Sequence, residues 1–155
     1  MNVKTLLVAT ALLANTAPAI AVEIKCPTLN EVTEDPVKGT GEASVGELKY
    51  ESDMVFQGWE KFKTEKPILV AMDLWKEVSS HPITYKRLEG IACYYKITIN
   101  GKPSGTAKES LYAPYPPSVR GPKVTCRVNG NTPIKQEKNY IQYDCTKGPC
   151  TANCS

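Results

Sequence analysis

The chain has 155 residues with 19 basic and 16 acidic side chains, a formal net charge of +3, 12 prolines, 10 glycines, six cysteines and one histidine. Its lysines are spread without a dense block, so neither a nucleic-acid footprint nor a polybasic membrane patch is expected. The length suits one domain of ordinary size, large enough to bury a core of its own.

Residues 1–21 read as a signal peptide. Lys4 supplies the positive start, the following residues an apolar stretch shorter than a bilayer span, and Ala19-Ile20-Ala21 the small-residue processing site. The mature chain is then expected to be a single domain over 22–155 with 18 basic against 16 acidic residues and no membrane insertion after leader cleavage. Cys26 follows Glu23-Ile24-Lys25, which is not a lipidation signal.

Further along, Gly39-Thr40-Gly41 reads as an exposed turn, and 39–46 as flexible chain without the Lys-Ser ending of a phosphate-cradling loop. Segments 47–51 and 54–62 read as strands, with Gly58 as a bulge or a close-approach point. Segment 68–78 is ambiguous: Ile68, Met72, Trp75 and Val78 lie at helical spacing, whereas Ile68, Val70, Met72 and Leu74 lie at strand spacing. Pro67 and the turn cluster after Val78 bound a short piece, which favours a strand.

The clearest strand is 91–99, where Ile91, Cys93, Tyr95, Ile97 and Ile99 alternate with Ala92, Tyr94, Lys96 and Thr98. Asn100-Gly101 then fits a tight hairpin turn, and 101–105 reads as exposed turn. The stretch 112–117 is extended because of its prolines. Two further strands follow, 124–128 with Val124, Cys126 and Val128 on one face, and 140–145 with Ile141, Tyr143 and Cys145 together. Many short strands with frequent Gly/Pro turns make the chain mainly β, an antiparallel β-sandwich or small barrel stabilised by disulfides.

Six cysteines in an exported chain are expected to be oxidised: Cys26, Cys93, Cys126, Cys145, Cys150 and Cys154. Fifteen full pairings exist, and the sequence does not choose among them. A bridge between two of the core-facing Cys93, Cys126 and Cys145 would staple strands together. Cys145 and Cys150 can also close a small loop through Gly148-Pro149, or Cys150 and Cys154 can reach back to anchor the tail; Cys26 must tie down the N-terminal end. The spacing fits neither a zinc site nor a C-x-x-C redox site, so no metal and no cofactor is expected.

Catalytic signals are sparse. His81 precedes a proline without a serine elbow, and the four aspartates, Asp35, Asp53, Asp73 and Asp144, together with twelve glutamates leave two-carboxylate hydrolysis formally open without singling out a pair. Trp59 and Trp75 read as core residues that are also able to stack on sugar rings. Tyr94 falls on the wettable face of its strand. Tyr112, Tyr115 and Arg120 make 112–120 the candidate contact loop, since tyrosine and arginine suit binding surfaces; the competing reading is a rigid connector whose tyrosines cover the core edge. Ser118-Val119-Arg120-Gly121-Pro122 also has the form of a protease-inhibitory loop, but no cysteine obviously braces it.

Cys26-Pro27, Gly58-Trp59, Cys93-Tyr94-Tyr95 and Tyr143-Asp144-Cys145, together with the leader, make the chain resemble a family of small exported bacterial cysteine-containing proteins of unknown function. That resemblance spans most of 22–155 and implies an envelope or secreted location and a compact β-rich domain, with no activity attached; Cys150 and Cys154 depart from it. The expected function is an exported, non-enzymatic binding domain for a protein or glycan partner, periplasmic or extracellular. A two-carboxylate envelope hydrolase, a structural or assembly subunit and a protease-inhibitor-like protein are the alternatives.

Overall fold

A computed structural model describes residues 21–35, 37, 38, 40–52, 59–75, 90–99, 102–119 and 124–155. Eleven strands and one helix occur among them: β1 (Val22–Lys25), β2 (Thr33–Glu34), β3 (Gly41–Val45), β4 (Leu48–Glu51), α1 (Trp59–Thr64), β5 (Ile68–Trp75), β6 (Gly90–Ile99), β7 (Lys102–Pro114), β8 (Cys126–Val128), β9 (Pro133–Gln136), β10 (Tyr140–Asp144) and β11 (Thr151–Cys154). One sheet runs β2-β3-β4-β7-β6-β5-β10-β9 and a smaller one β1-β11-β8, all neighbours antiparallel. The result is sandwich-like and mainly β, and does not close into a barrel.

Alternation carries the large sheet. Ile91, Cys93 and Tyr95 on β6, Met72 and Leu74 on β5, Leu111 and Ala113 on β7, and Tyr143 on β10 all turn to one buried face. Ile24, Ala152 and Cys154 cover it from the small sheet. Of segment 68–78, the described residues Ile68–Trp75 form a strand, and 76–78 lie outside the described residues. Ile99 pairs with Lys102; Asn100-Gly101, read as a tight hairpin turn, lies outside the described residues. Gly130, after β8, takes φ 72°, the left-handed turn conformation that glycine adopts without strain.

Three segments depart from the sequence reading. Residues 59–62, read as strand, begin α1, whose buried Trp59 and Phe62 stand three apart, one helical turn. Within the stretch read as flexible chain, Gly41–Val45 form β3, and Gly41 is buried with the Trp59 indole against its backbone. Lys102, expected in a turn, opens the thirteen-residue β7.

All six cysteines are paired. Cys26–Cys93 ties the end of β1 to the centre of β6, and so one sheet to the other; Cys126–Cys154 joins β8 to β11; Cys145–Cys150 closes the loop that carries the chain from the large sheet to the small one. The three cysteines read as core-facing, Cys93, Cys126 and Cys145, do not pair with one another; their partners are Cys26, Cys154 and Cys150. Of those three, Cys93 and Cys145 are buried and Cys126 is only partly so. Three disulfides are the mark of an oxidising environment. Among the described residues no helix is long and apolar enough to cross a membrane.

Candidate functional site

The face of the large sheet turned away from the small one carries the unusual side chains. Register makes Tyr112, Ala92, Asp73, Gln142 and Lys135 successive Cα partners across β7, β6, β5, β10 and β9. The next row along the strands is Pro114, Gly90, Trp75 and Tyr140, and the row on the other side is Ser110, Tyr94, Ala71 and Asp144. Small residues at the centre leave two aromatic pairs to either side.

Asp73 is the hub of this face and is only 2% exposed. A buried carboxylate persists only with its oxygens satisfied. The Tyr94 hydroxyl donates to Asp73 Oδ2 at 2.8 Å and the Gln142 amide donates to Oδ1 at 2.7 Å. Tyr94 also hydrogen-bonds Tyr112, whose hydroxyl accepts from Ser110 Oγ at 3.0 Å. Burial, then the neighbouring Asp73, pushes the Tyr94 hydroxyl far above the ordinary phenol range, so it acts as a neutral donor. The Tyr94 and Tyr112 rings meet edge to face with centroids 6.5 Å apart.

The second pair lies nearer the sheet edge. Trp75 and Tyr140 stack with centroids 4.5 Å apart, and Lys135 Nζ stands 5.5 Å from the Tyr140 centroid while pairing with Glu137 at 3.1 Å. Trp75, Tyr140, Tyr94 and Tyr112 are all half-buried, and Lys135 is exposed. Such rings offer flat apolar area together with polar ends, the combination favoured at binding surfaces.

Of the residues expected in the contact loop, Tyr112 belongs to this cluster, on β7 rather than in a loop. Tyr115 is in the core, 2% exposed, with its hydroxyl 4.0 Å from Cys126 Sγ. It continues the inward parity of Leu111 and Ala113, and the short 3-10 turn Pro117–Val119 that follows buries Val119. That placement matches a connector closing the core edge. Arg120, His81 and Asp53 lie outside the described residues. Trp59 is a core residue, as read; Trp75 is half-buried on the outer face. Asp73, Gln142 and Tyr140 were not singled out as site residues. Strand parity placed Asp73 opposite Met72 and Leu74, and that was the available signal.

A groove of about 580 Å³ opens elsewhere, between the segment after β1 and the Cys145–Cys150 loop, with Pro27, Leu29, Ile68 and Pro149 in its walls and two disulfides bracing it. Among the described residues that line it, Glu31 is the one acid. The Thr28 backbone N–H and hydroxyl donate to Glu31 Oε2 at 2.6 and 2.9 Å and hold its carboxyl below the usual range, so it is ionised. Among the described residues no three His, Cys, Asp or Glu side chains gather to hold a metal. Comparisons with protein-family models, curated proteins and solved structures find no match for this chain.

Proposed function

We propose that the chain is an exported, non-enzymatic binding domain for a protein or glycan partner, and that the outer face of the large sheet is its contact surface. The observation that carries this reading is the Trp75–Tyr140 stack beside the Asp73–Tyr94–Tyr112 network, half-buried rings held rigidly on strands. The three disulfides support export to a periplasmic or extracellular space. A two-carboxylate hydrolase has less support, since the described lining of the groove offers one acid, held ionised and unsuited to donate a proton. An assembly role by strand addition at β9 also has less support: that edge carries Pro133, a register irregularity opposite Gln142/Tyr143 and Lys135, features that discourage edge pairing.

The test is retention of envelope material by the immobilised chain, compared with Trp75→Ala and Tyr140→Ala variants whose folding is verified by circular dichroism. Retention lost in both variants supports the reading; equal retention removes this face. Protease treatment of the extract abolishes capture of a protein partner, and periodate treatment that of a glycan. Turnover of chromogenic glycosides by the native chain, lost on removing a carboxylate, would overturn the non-enzymatic assignment.

A further inference from the structure

The three bridges differ in how their sulfurs are shielded. Cys26, Cys145 and Cys150 reach the wall of the groove, yet the four cysteines of Cys26–Cys93 and Cys145–Cys150 are at most 8% exposed. In the third bridge Cys154 is fully buried, whereas Cys126 is partly exposed, which sets it apart from the other five.

The place of Cys126 in the fold accounts for this. β8 has three residues and is an outer strand of the small sheet, paired with β11. Strand parity turns Cys126 inward with Val124 and Val128, but all three are only partly buried, and Thr125, Arg127 and Asn129 between and beside them are exposed.

Register decides what opening this bridge would disturb. Cys126 and Cys154 are direct Cα partners, and the adjoining Thr125 and Ser155 exchange two backbone hydrogen bonds at 2.9 and 3.0 Å. The bridge therefore occupies a rung of the ladder without backbone bonds of its own, where opposed side chains come closest. Beyond it, Asn129 N–H donates to the Thr151 carbonyl at 3.0 Å. Backbone bonds on both sides keep the two cysteines opposed when the sulfurs part. Cys26–Cys93 has no such latitude, since it ties one sheet to the other and Cys93 is fully buried at the centre of β6.

We propose that Cys126 is a thiol-exchange site, and that Cys126–Cys154 is the bridge a dithiol opens while the chain stays folded; the chemical class is the dithiol of a thiol–disulfide oxidoreductase. A thiolate attacks Cys126 Sγ, the bond to Cys154 breaks, and its electron pair leaves on Cys154 Sγ, which takes a proton from water. The second thiolate of the dithiol then attacks its own sulfur in the mixed disulfide and releases Cys126, which is protonated in turn. The dithiol is oxidised to a disulfide, and two electrons and two protons reach the cysteine pair. This site is independent of the outer face and of any partner bound there.

The test is reduction of the oxidised native chain by dithiothreitol without denaturant, with samples alkylated over time and each cysteine quantified by peptide mapping. Cys126 and Cys154 are expected to become alkylated together, at least about tenfold faster than the other four and in proportion to the dithiothreitol concentration, with the circular dichroism spectrum kept. In excess glutathione with acid trapping, the mixed disulfide is expected on Cys126 and not on Cys154. Another bridge opening first, all three opening together, or glutathione on Cys154 overturns the proposal. So does a fast phase that persists in Cys126→Ser/Cys154→Ser; where that variant does not fold, the mapping of the native chain carries the test alone.

Discussion

The indole of Trp59 lies against the bare backbone of Gly41, so closely that a Cβ there would overlap Nε1, Cε2 and Cδ1 of the ring. Ser52 locks the arrangement: its hydroxyl oxygen accepts from Gly41 N–H at 2.8 Å and Trp59 Nε1–H at 2.9 Å, while its own N–H donates to the Gly41 carbonyl at 2.9 Å. One small residue thus lets α1 seat its tryptophan on β3.

Gly41→Ala is therefore expected to cost about 2–4 kcal/mol, since the fully buried ring has nowhere to move. Ser52→Ala leaves two buried donors without an acceptor and costs about 1–3 kcal/mol. Ser44→Ala, exposed on the same strand, serves as the reference and changes stability by under about 0.5 kcal/mol. Urea unfolding of the three variants gives the ranking.

The disulfides differ in the chain they close, 67, 28 and 5 residues of separation. Loop-closure entropy assigns them about 4, 3.5 and 2 kcal/mol. Cys26→Ser/Cys93→Ser is expected to lower the unfolding midpoint most and Cys145→Ser/Cys150→Ser least. It also releases the β1 end from β6, so the small sheet loses exchange protection first.

Stability is expected to fall on both sides of mildly acidic pH. The Glu31 carboxyl lies below its ordinary value because Thr28 binds it, so its contribution is full above pH 4.5 and is lost as pH falls through its folded value. Glu109 has the opposite sign: its folded value lies above its unfolded one, so stability is full below pH 4.5 and declines as pH rises to and through about 7. Glu109→Gln should remove the alkaline decline, worth about 1–3 kcal/mol. Thr28→Ala should weaken the hold on Glu31 and so flatten the acid limb. Thermal melts in overlapping buffers from pH 3 to pH 9 read both limbs.

On the outer face, two substitutions separate scaffold from contact surface. Asp73→Ala removes the acceptor for Tyr94 and Gln142 and is expected to cost about 2–4 kcal/mol. Trp75→Ala gives up one stacked pair at a half-buried position, a cost of about 1–2 kcal/mol, and abolishes partner retention while the circular dichroism spectrum is kept. Retention that follows stability across both variants would mark the cluster as scaffold alone.

Alternation made the middle of this fold legible. β6, β8 and β10 each place apolar residues on one side and polar ones on the other, a period of two that no helix mimics. The short pieces escaped notice: β1 and β11 have four residues each, and the polar run at 102–110 conceals the first part of β7, whose pairing with β6 comes from register rather than from its composition. Trp59 and Phe62 offered a helical spacing, but a single turn is too brief to outweigh strand-like neighbours.

By itself the amino-acid order determined a β-rich chain whose cysteines suit an oxidising environment, because side-chain parity and sulfur chemistry are local properties. Only the tertiary structure decided which cysteines meet, that Tyr115 turns inward while Tyr112 joins a face, and that Asp73 gathers Tyr94 from 21 residues away and Gln142 from 69. Those outcomes depend on which strands become neighbours and in what register, and pairing between distant segments is set by burying the whole core at once.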